Sequence, residues 1–315
     1  MKKSMLESPH RSYVKINSDT FTPKKSLSDR TFYGLIYVMT IVAIIVTFYP
    51  FLYVLSISFS SVEAIDQQKV ILFPVGFTLS GYKMVLQYQE LWVSFYNTLW
   101  YTVVGTVLNI LFTCLAAFPL SRPRFFLRRK LNFFIAFTMY FSGGLIPVYM
   151  LITSLGLYNT RWAMVLPVLV ITFNVMICRS AFEGIPNEIF ESANIDGAND
   201  ITMLFKLAIP IIKPTLAVLT LYYAVYHWNN FFSALLYLGQ QDLQPLQMFL
   251  RRVLIMASPE VMQKMGGSMS TSALAVSTLQ VRYVSIVVSI LPIVTIYPFI
   301  QRYFVKGITL GAVKG

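Results

Sequence analysis

Six stretches of the chain run without a single Asp, Glu, Lys or Arg: residues 31–62, 91–121, 131–160, 162–178, 215–241 and 283–301. A helix needs about 20 apolar residues to cross ~30 Å of hydrocarbon, with ~17 as the low end. All six reach that length. The stretch at 162–178 is marginal, and Arg161 and Arg179 at its ends can snorkel to the headgroups. Backbone groups left unpaired in lipid cost several kcal/mol each, so every crossing is predicted helical. The pattern therefore predicts an all-α, polytopic membrane protein. Its six transmembrane helices fall at about 32–59, 91–120, 131–155, 162–178, 215–238 and 283–301, in one membrane domain spanning 31–315. A polar leader covers 1–30; it carries no apolar stretch and so no cleavable signal peptide, and the run from Phe32 is too long for a signal core.

Composition sharpens this picture. Hydrophobic residues are 56% and charged residues 12%, about half the ~25% charge of a soluble domain. A disordered chain, a disulfide scaffold and an ordinary soluble enzyme are excluded. The net charge of +12 could suggest nucleic acid, but its distribution gives a simpler reason. Eighteen Lys and Arg lie in the leader, the connections 122–130 and 179–214 and the C-terminal end, against seven on the opposite face. By the positive-inside rule both termini are cytoplasmic, and no nucleic acid is needed.

The connection 179–214 differs from a plain loop. Ile185, Ile189 and Ala193 share one helical face, and Pro186-Asn187 starts that helix with Glu188 and Glu191 in its first turns. Gly197 supplies a stop. Ile201, Leu204, Phe205 and Ala208 pattern a second helix with Asp200 as its expected N-cap, and Pro210 and Pro214 mark the bend back into the fifth span. Pattern alone leaves open a hairpin lying on the inner leaflet. A surface helix should be rich in Lys and Arg, whereas here Glu183, Glu188, Glu191, Asp196 and Asp200 outnumber three bases. That polarity points to a basic groove on a soluble partner.

Glu191-Ser192-Ala193, three residues, Gly197, nine residues, then Leu207-Ala208-Ile209-Pro210 resembles the EAA loop of ABC importer permeases. Ser192 replaces the middle alanine, and Leu207 and Ile209 are conservative changes. Ser56–Ser60, His227–Phe232 and the ending Gln301–Gly315 are similar to the MalG-like half of the carbohydrate-uptake branch, so the resemblance covers most of the chain from about residue 30. It implies a permease in the bacterial plasma membrane, paired with a second homologous permease subunit. Two ATPase subunits would dock beneath and an extracytoplasmic solute-binding protein would deliver a sugar or oligosaccharide. Glu191, Ser192, Ala193, Gly197, Leu207, Ile209 and Pro210 would form the ATPase-coupling site, with the tail Lys306–Gly315 as a second ATPase contact. The long outer connections, Ser60–Glu90 and Gly239–Arg282, could meet the binding protein.

The chain is expected to be non-catalytic and to bind no cofactor, ATP and Mg belonging to the partner ATPase. The nearest approach to a phosphate loop, Gly76–Gly81 followed by Tyr82-Lys83, lacks the Gly-Lys-Ser/Thr ending. His10, His227, Cys114 and Cys178 match no zinc spacing. No buried carboxylate or lysine suggests a proton relay, which disfavours the alternative of an ion-gradient-driven secondary carrier. A permease for a non-sugar solute stays open. Asn97, Asn174, His227, Trp228, Asn229 and Asn230 are the polar and aromatic groups expected to line a translocation pathway, interhelical hydrogen bonding being the other role open to them.

Overall fold

The structure is a computed structural model, and it describes residues 27–141, 143–256 and 279–295, with side chains from residue 31 to 255 and in the last segment. The chain divides into two compact units, Met1–Pro50 and Phe51–Gly315. Among the described residues every regular element is helical.

Helix α1 (Leu27–Ser58) has Pro50 inside it, and its side chains from residue 31 to 52 are exposed. After it come α2 (Val62–Asp66), α3 (Ser80–Gln87) and the long α4 (Gln89–Ser121). Then follow α5 (Arg128–Phe137), α6 (Leu145–Ser154), two 3₁₀ turns at Arg161–Met164 and Leu166–Val168, and α7 (Thr172–Glu183). Two helices fill the connection to the next apolar segment, α8 (Asn187–Ile195) and α9 (Asp200–Ile211). The remainder is α10 (Lys213–Asn229), α11 (Phe232–Tyr237), α12 (Leu246–Met256) and α13 (Leu279–Thr295).

Several spans expected to be continuous are broken. Among the described residues, α1 and α4 alone are single helices long and apolar enough to cross a membrane. The 131–155 segment is two helices, because the chain turns through Gly144 at φ +81°, a conformation open to a residue without Cβ. In the 162–178 segment 3₁₀ turns meet α7 at a 51° bend, and α9 meets α10 at 87°. The 215–238 segment stops at Asn229 and resumes at Phe232. Helix α7 runs on to Glu183, so the connection begins later than residue 179. The last part of 283–301 and the tail 306–315 lie outside the described residues.

Helix α4 is the mast of the second unit, packing chiefly against α10 and α7. Two polar rungs tie these three helices. His227 Nε2 lies 2.6 Å from Asn109 Oδ1, and Asn109 Nδ2 donates to the carbonyls of Val168 and Leu169 at 2.6 and 2.8 Å. One turn away, Tyr223 Oη and Thr113 Oγ1 are 2.7 Å apart, and Tyr223 Oη accepts from the Ile171 amide at 3.4 Å. Both rungs end on backbone groups freed where the 162–178 segment breaks. In a membrane that is the condition under which irregular backbone is tolerated.

At the far end, the Ser56–Ser60 motif pins the following loop. Ser56 Oγ donates to Leu72 O at 2.6 Å, Ser60 Oγ accepts from the Val75 amide at 3.1 Å, and Gln280 of α13 donates to Ser60 O at 2.9 Å.

Candidate functional site

Helices α8 and α9 form a closed hairpin whose geometry follows from its residues. At the end of α8 the Ala198 amide donates to Ala193 O at 2.9 Å and the Gly197 amide to Asn194 O at 3.1 Å. Gly197 sits at φ +76°. These two bonds and the left-handed residue make a Schellman stop, which places a small residue, Ala193, four positions before the glycine. Asn199, and not Asp200 as expected, caps α9: its Oδ1 accepts from the Thr202 amide at 2.8 Å. Residues Met203–Ala208 widen into a π-type turn just before Pro210. That turn makes room for a ring that would otherwise collide with the carbonyl four residues earlier.

The buried face agrees only in part with the expected one. Phe190 and Ala193 of α8 and Met203, Leu204 and Ala208 of α9 enter a core with Phe118, Cys114, Cys178, Phe182 and Ile185, and Leu207 and Ile209 pack against it. Ile185, Ala193, Leu204 and Ala208 are buried as expected, whereas Ile189, Ile201 and Phe205 face outward and Phe190 and Met203 enter the core instead. Ile195 is 87% and Ile201 69% exposed. Around them Glu188, Glu191, Ser192, Asp196, Gly197, Asp200 and Pro210 are also exposed. The hairpin thus presents two apolar knobs ringed by carboxylates while its other face is locked to the bundle.

A groove of about 830 Å³ separates the hairpin from the end of α4, with Phe118, Arg122 and Phe125 on one wall and Phe190, Glu191 and Asp200 on the other. Arg122 bridges its walls. The guanidinium carbon lies 3.8 Å from the Phe190 ring centre and 5.3 Å from that of Phe118. Nη2 donates to Phe182 O at 2.7 Å and Nε to Ser121 Oγ at 3.0 Å. Burial and the neighbouring Arg128 lower the Arg122 pKa, and Glu183 opposes them; a guanidinium starts so high that it stays charged. Glu183 itself pairs with Arg128 and Arg179.

The residues expected along a pathway do not converge in one place. Asn97 is buried, its Nδ2 donating to the carbonyls of Asp242 and Gln244 and its Oδ1 accepting from Arg161 at 3.0 Å. His227 belongs to the rung with Asn109, and Trp228 packs among Val85, Leu91, Leu246 and Phe249. Asn229 Nδ2 donates to Val225 O one turn back, and Asn230 Oδ1 accepts from the Ser233 amide where α10 breaks. Asn174 is buried on α7. Arg122 and Gly105 were missed as site or joint residues. Arg122 counts in the sequence only as one more inner-face charge, and its stacking on Phe190 depends on a contact across 68 positions.

Helices long and apolar enough to cross a bilayer, laddered by buried polar groups, mark an integral membrane protein. The chain matches the family described as "Binding-protein-dependent transport system inner membrane component" over residues 22–310 and belongs to it. Of the two transport classes left open by the sequence, this selects the binding-protein-dependent one. Among its relatives is the polygalacturonan/rhamnogalacturonan transport system permease protein YtcP of Bacillus subtilis (strain 168), 36% identical over 93% of this chain and 100% of the relative. Protein LplC of the same organism is 39% identical over 86% of this chain and 90% of the relative. Among solved structures, a bacterial ABC transporter involved in the import of the acidic polysaccharide alginate contains a chain similar at a TM-score of 0.81. It is 36% identical, and the match covers 90% of this chain and 100% of that one.

Proposed function

We propose that the chain is the permease subunit of an ATP-binding-cassette importer for a sugar or oligosaccharide, non-catalytic itself and driven by ATPase subunits that grip the α8–α9 hairpin. The observation that carries the coupling role is the division of that hairpin into a locked face and an exposed one. A face bearing Ile195, Ile201 and four carboxylates suits a groove with basic walls and an apolar floor. Relatives named for polygalacturonan and alginate support an oligosaccharide as solute. In this reading α1, α4, α5 with α6, the 3₁₀ turns with α7, α10 with α11, and α13 make six crossings, and both termini and the hairpin are cytoplasmic. A second permease completes the pathway, a solute-binding protein delivers the sugar from outside, and closure of the ATPase dimer biases the bundle between inward- and outward-facing states. Residues 1–30 form a polar leader ahead of the membrane domain.

The test is uptake by cells carrying Glu191→Ala or Gly197→Pro. Glu191→Ala removes an exposed charge and leaves the fold alone. Gly197→Pro destroys the Schellman stop, since proline is held near φ −65°. Both are expected to abolish uptake with the protein still in the membrane. Normal transport by both variants removes the coupling role.

A further inference from the structure

Force applied to the hairpin is useful only if the spans follow it, and the groove beside it makes that a question. The hairpin and α4 share an apolar core through Phe190 and Phe118, and beyond that contact a groove of about 830 Å³ opens between the hairpin and the end of α4. Across this opening Arg122 makes a polar link. Arg122 terminates α4, its Nη2 holds the carbonyl of Phe182 in the last turn of α7, and its guanidinium carbon lies over the Phe190 ring of α8. Three elements therefore meet at one guanidinium. The carbonyl end of a helix favours a cation, and a planar cation can stack and donate in its plane at the same time, which an ammonium cannot do.

We infer that Arg122 is the positioning residue that makes the hairpin and the inner ends of α4 and α7 move as one body, so that motion imposed at the exposed carboxylates reaches the spans. The inference rests on the coupling role proposed above for the hairpin. It predicts a fault in transmission, with hydrolysis continuing but solute no longer moved in step.

The experiment uses the complete transporter in proteoliposomes, with the binding protein, ATP and mixed oligogalacturonides of two to four residues as the probe. In Arg122→Gln, solute moved per ATP hydrolysed is expected to fall at least tenfold while hydrolysis stays within about twofold of wild type. Arg122→Lys is expected to remain uncoupled, although it keeps the charge. A second reading needs no solute: spin labels at Ile195→Cys and Leu115→Cys, both exposed positions, with Cys114 and Cys178 replaced by alanine. The parent pair is expected to give one narrow distance distribution with and without ATP–vanadate, and Arg122→Gln to widen it about twofold or more. An unchanged distribution overturns the inference, as does an unchanged coupling ratio or full rescue by lysine. Where Arg122→Gln does not assemble, Phe190→Leu, which removes the stacked ring and keeps an apolar side chain, is read by the same label pair and the same outcomes. Failure of the broader reading shows separately: Ile195 labels then give no response when ATPase subunits are added, whatever the pair distance does.

Discussion

At Gly105, α4 leaves no room for a Cβ beside His227 of α10, and an added methyl group there tests the helix packing directly. A Cβ built on Gly105 lies 2.5 Å from His227 Nε2, 2.6 Å from Cε1 and 2.8 Å from Cδ2. Ordinary contact begins near 3.4 Å, so Gly105→Ala demands a displacement of about 1 Å. The imidazole cannot give way cheaply, because Nε2 is held 2.6 Å from Asn109 Oδ1 in a buried site. Asn109 Nδ2 already donates to two carbonyls, which leaves Oδ1 as acceptor and makes His227 Nε2 the donor. Either the helices part, at the ~1–3 kcal/mol typical of overpacking, or the ring turns and forfeits an interhelical bond worth about 0.6–1.7 kcal/mol in a membrane. The expected cost is roughly 2–4 kcal/mol, measured as unfolding free energy by SDS titration in mixed micelles. A double-mutant cycle localises the effect. With His227→Ala in place the clash has no partner, and Gly105→Ala should then cost less than about 0.5 kcal/mol. A Gly105→Ala variant as stable as wild type, or a strictly additive cycle, refutes the claimed contact.

The two rungs predict an order of severity. Asn109→Leu keeps the volume but orphans the carbonyls of Val168 and Leu169 as well as His227 Nε2, and should cost about 2 kcal/mol or more; Thr113→Val loses only the Tyr223 contact and should cost ~0.6–1.7. The same SDS titration compares them. Glu183→Gln is predicted to matter little despite pairing with Arg128 and Arg179, because all three side chains keep a quarter or more of their accessible surface; a loss of ~1 kcal/mol or less, shrinking further in high salt, is expected.

Much of this arrangement was legible in the sequence, and the limits are physical. Charge-free runs gave the apolar segments because exclusion of ionised groups is a property of composition. They could not give helix continuity, which depends on where backbone groups find partners. The 162–178 run reads as one apolar helix, yet its bend near residue 170 is supported by Asn109 and Tyr223, side chains contributed by other helices. Pairing 109 with 227 and 113 with 223 requires antiparallel register between α4 and α10, which no local pattern encodes. Cys114 and Cys178, unrelated by spacing, likewise come together in one buried cluster. In the hairpin, the Gly197 stop was read correctly, and the buried stripe only in part: Ile185, Ala193, Leu204 and Ala208 are buried, but Ile189, Ile201 and Phe205 are not. A helix of nine residues has about two and a half turns, so one large ring at position 190 decides which face turns inward.

The spacing within Glu191–Gly197 now has a mechanical meaning. A Schellman stop fixes the residue four before the glycine at the position whose carbonyl receives the closing amide, and here that residue must also lie flat against α4 and α7. Alanine satisfies both demands, being 8% exposed at position 193 with its carbonyl bound to Ala198. Glu191, two positions earlier, is turned about 200° around the helix from it and so projects outward. The same turn that locks one side chain inward therefore aims the other outward, where the proposed coupling role needs a charge. A lever needs this combination: a face that does not slip against its own domain and a charged face held at a constant angle to it. Loosening the first face, at Phe190 or Arg122, leaves the charge available for docking but not in register with the spans. Removing Glu191 leaves the register intact with less to grip. The two classes of variant should therefore separate docking from transmission within a single hairpin.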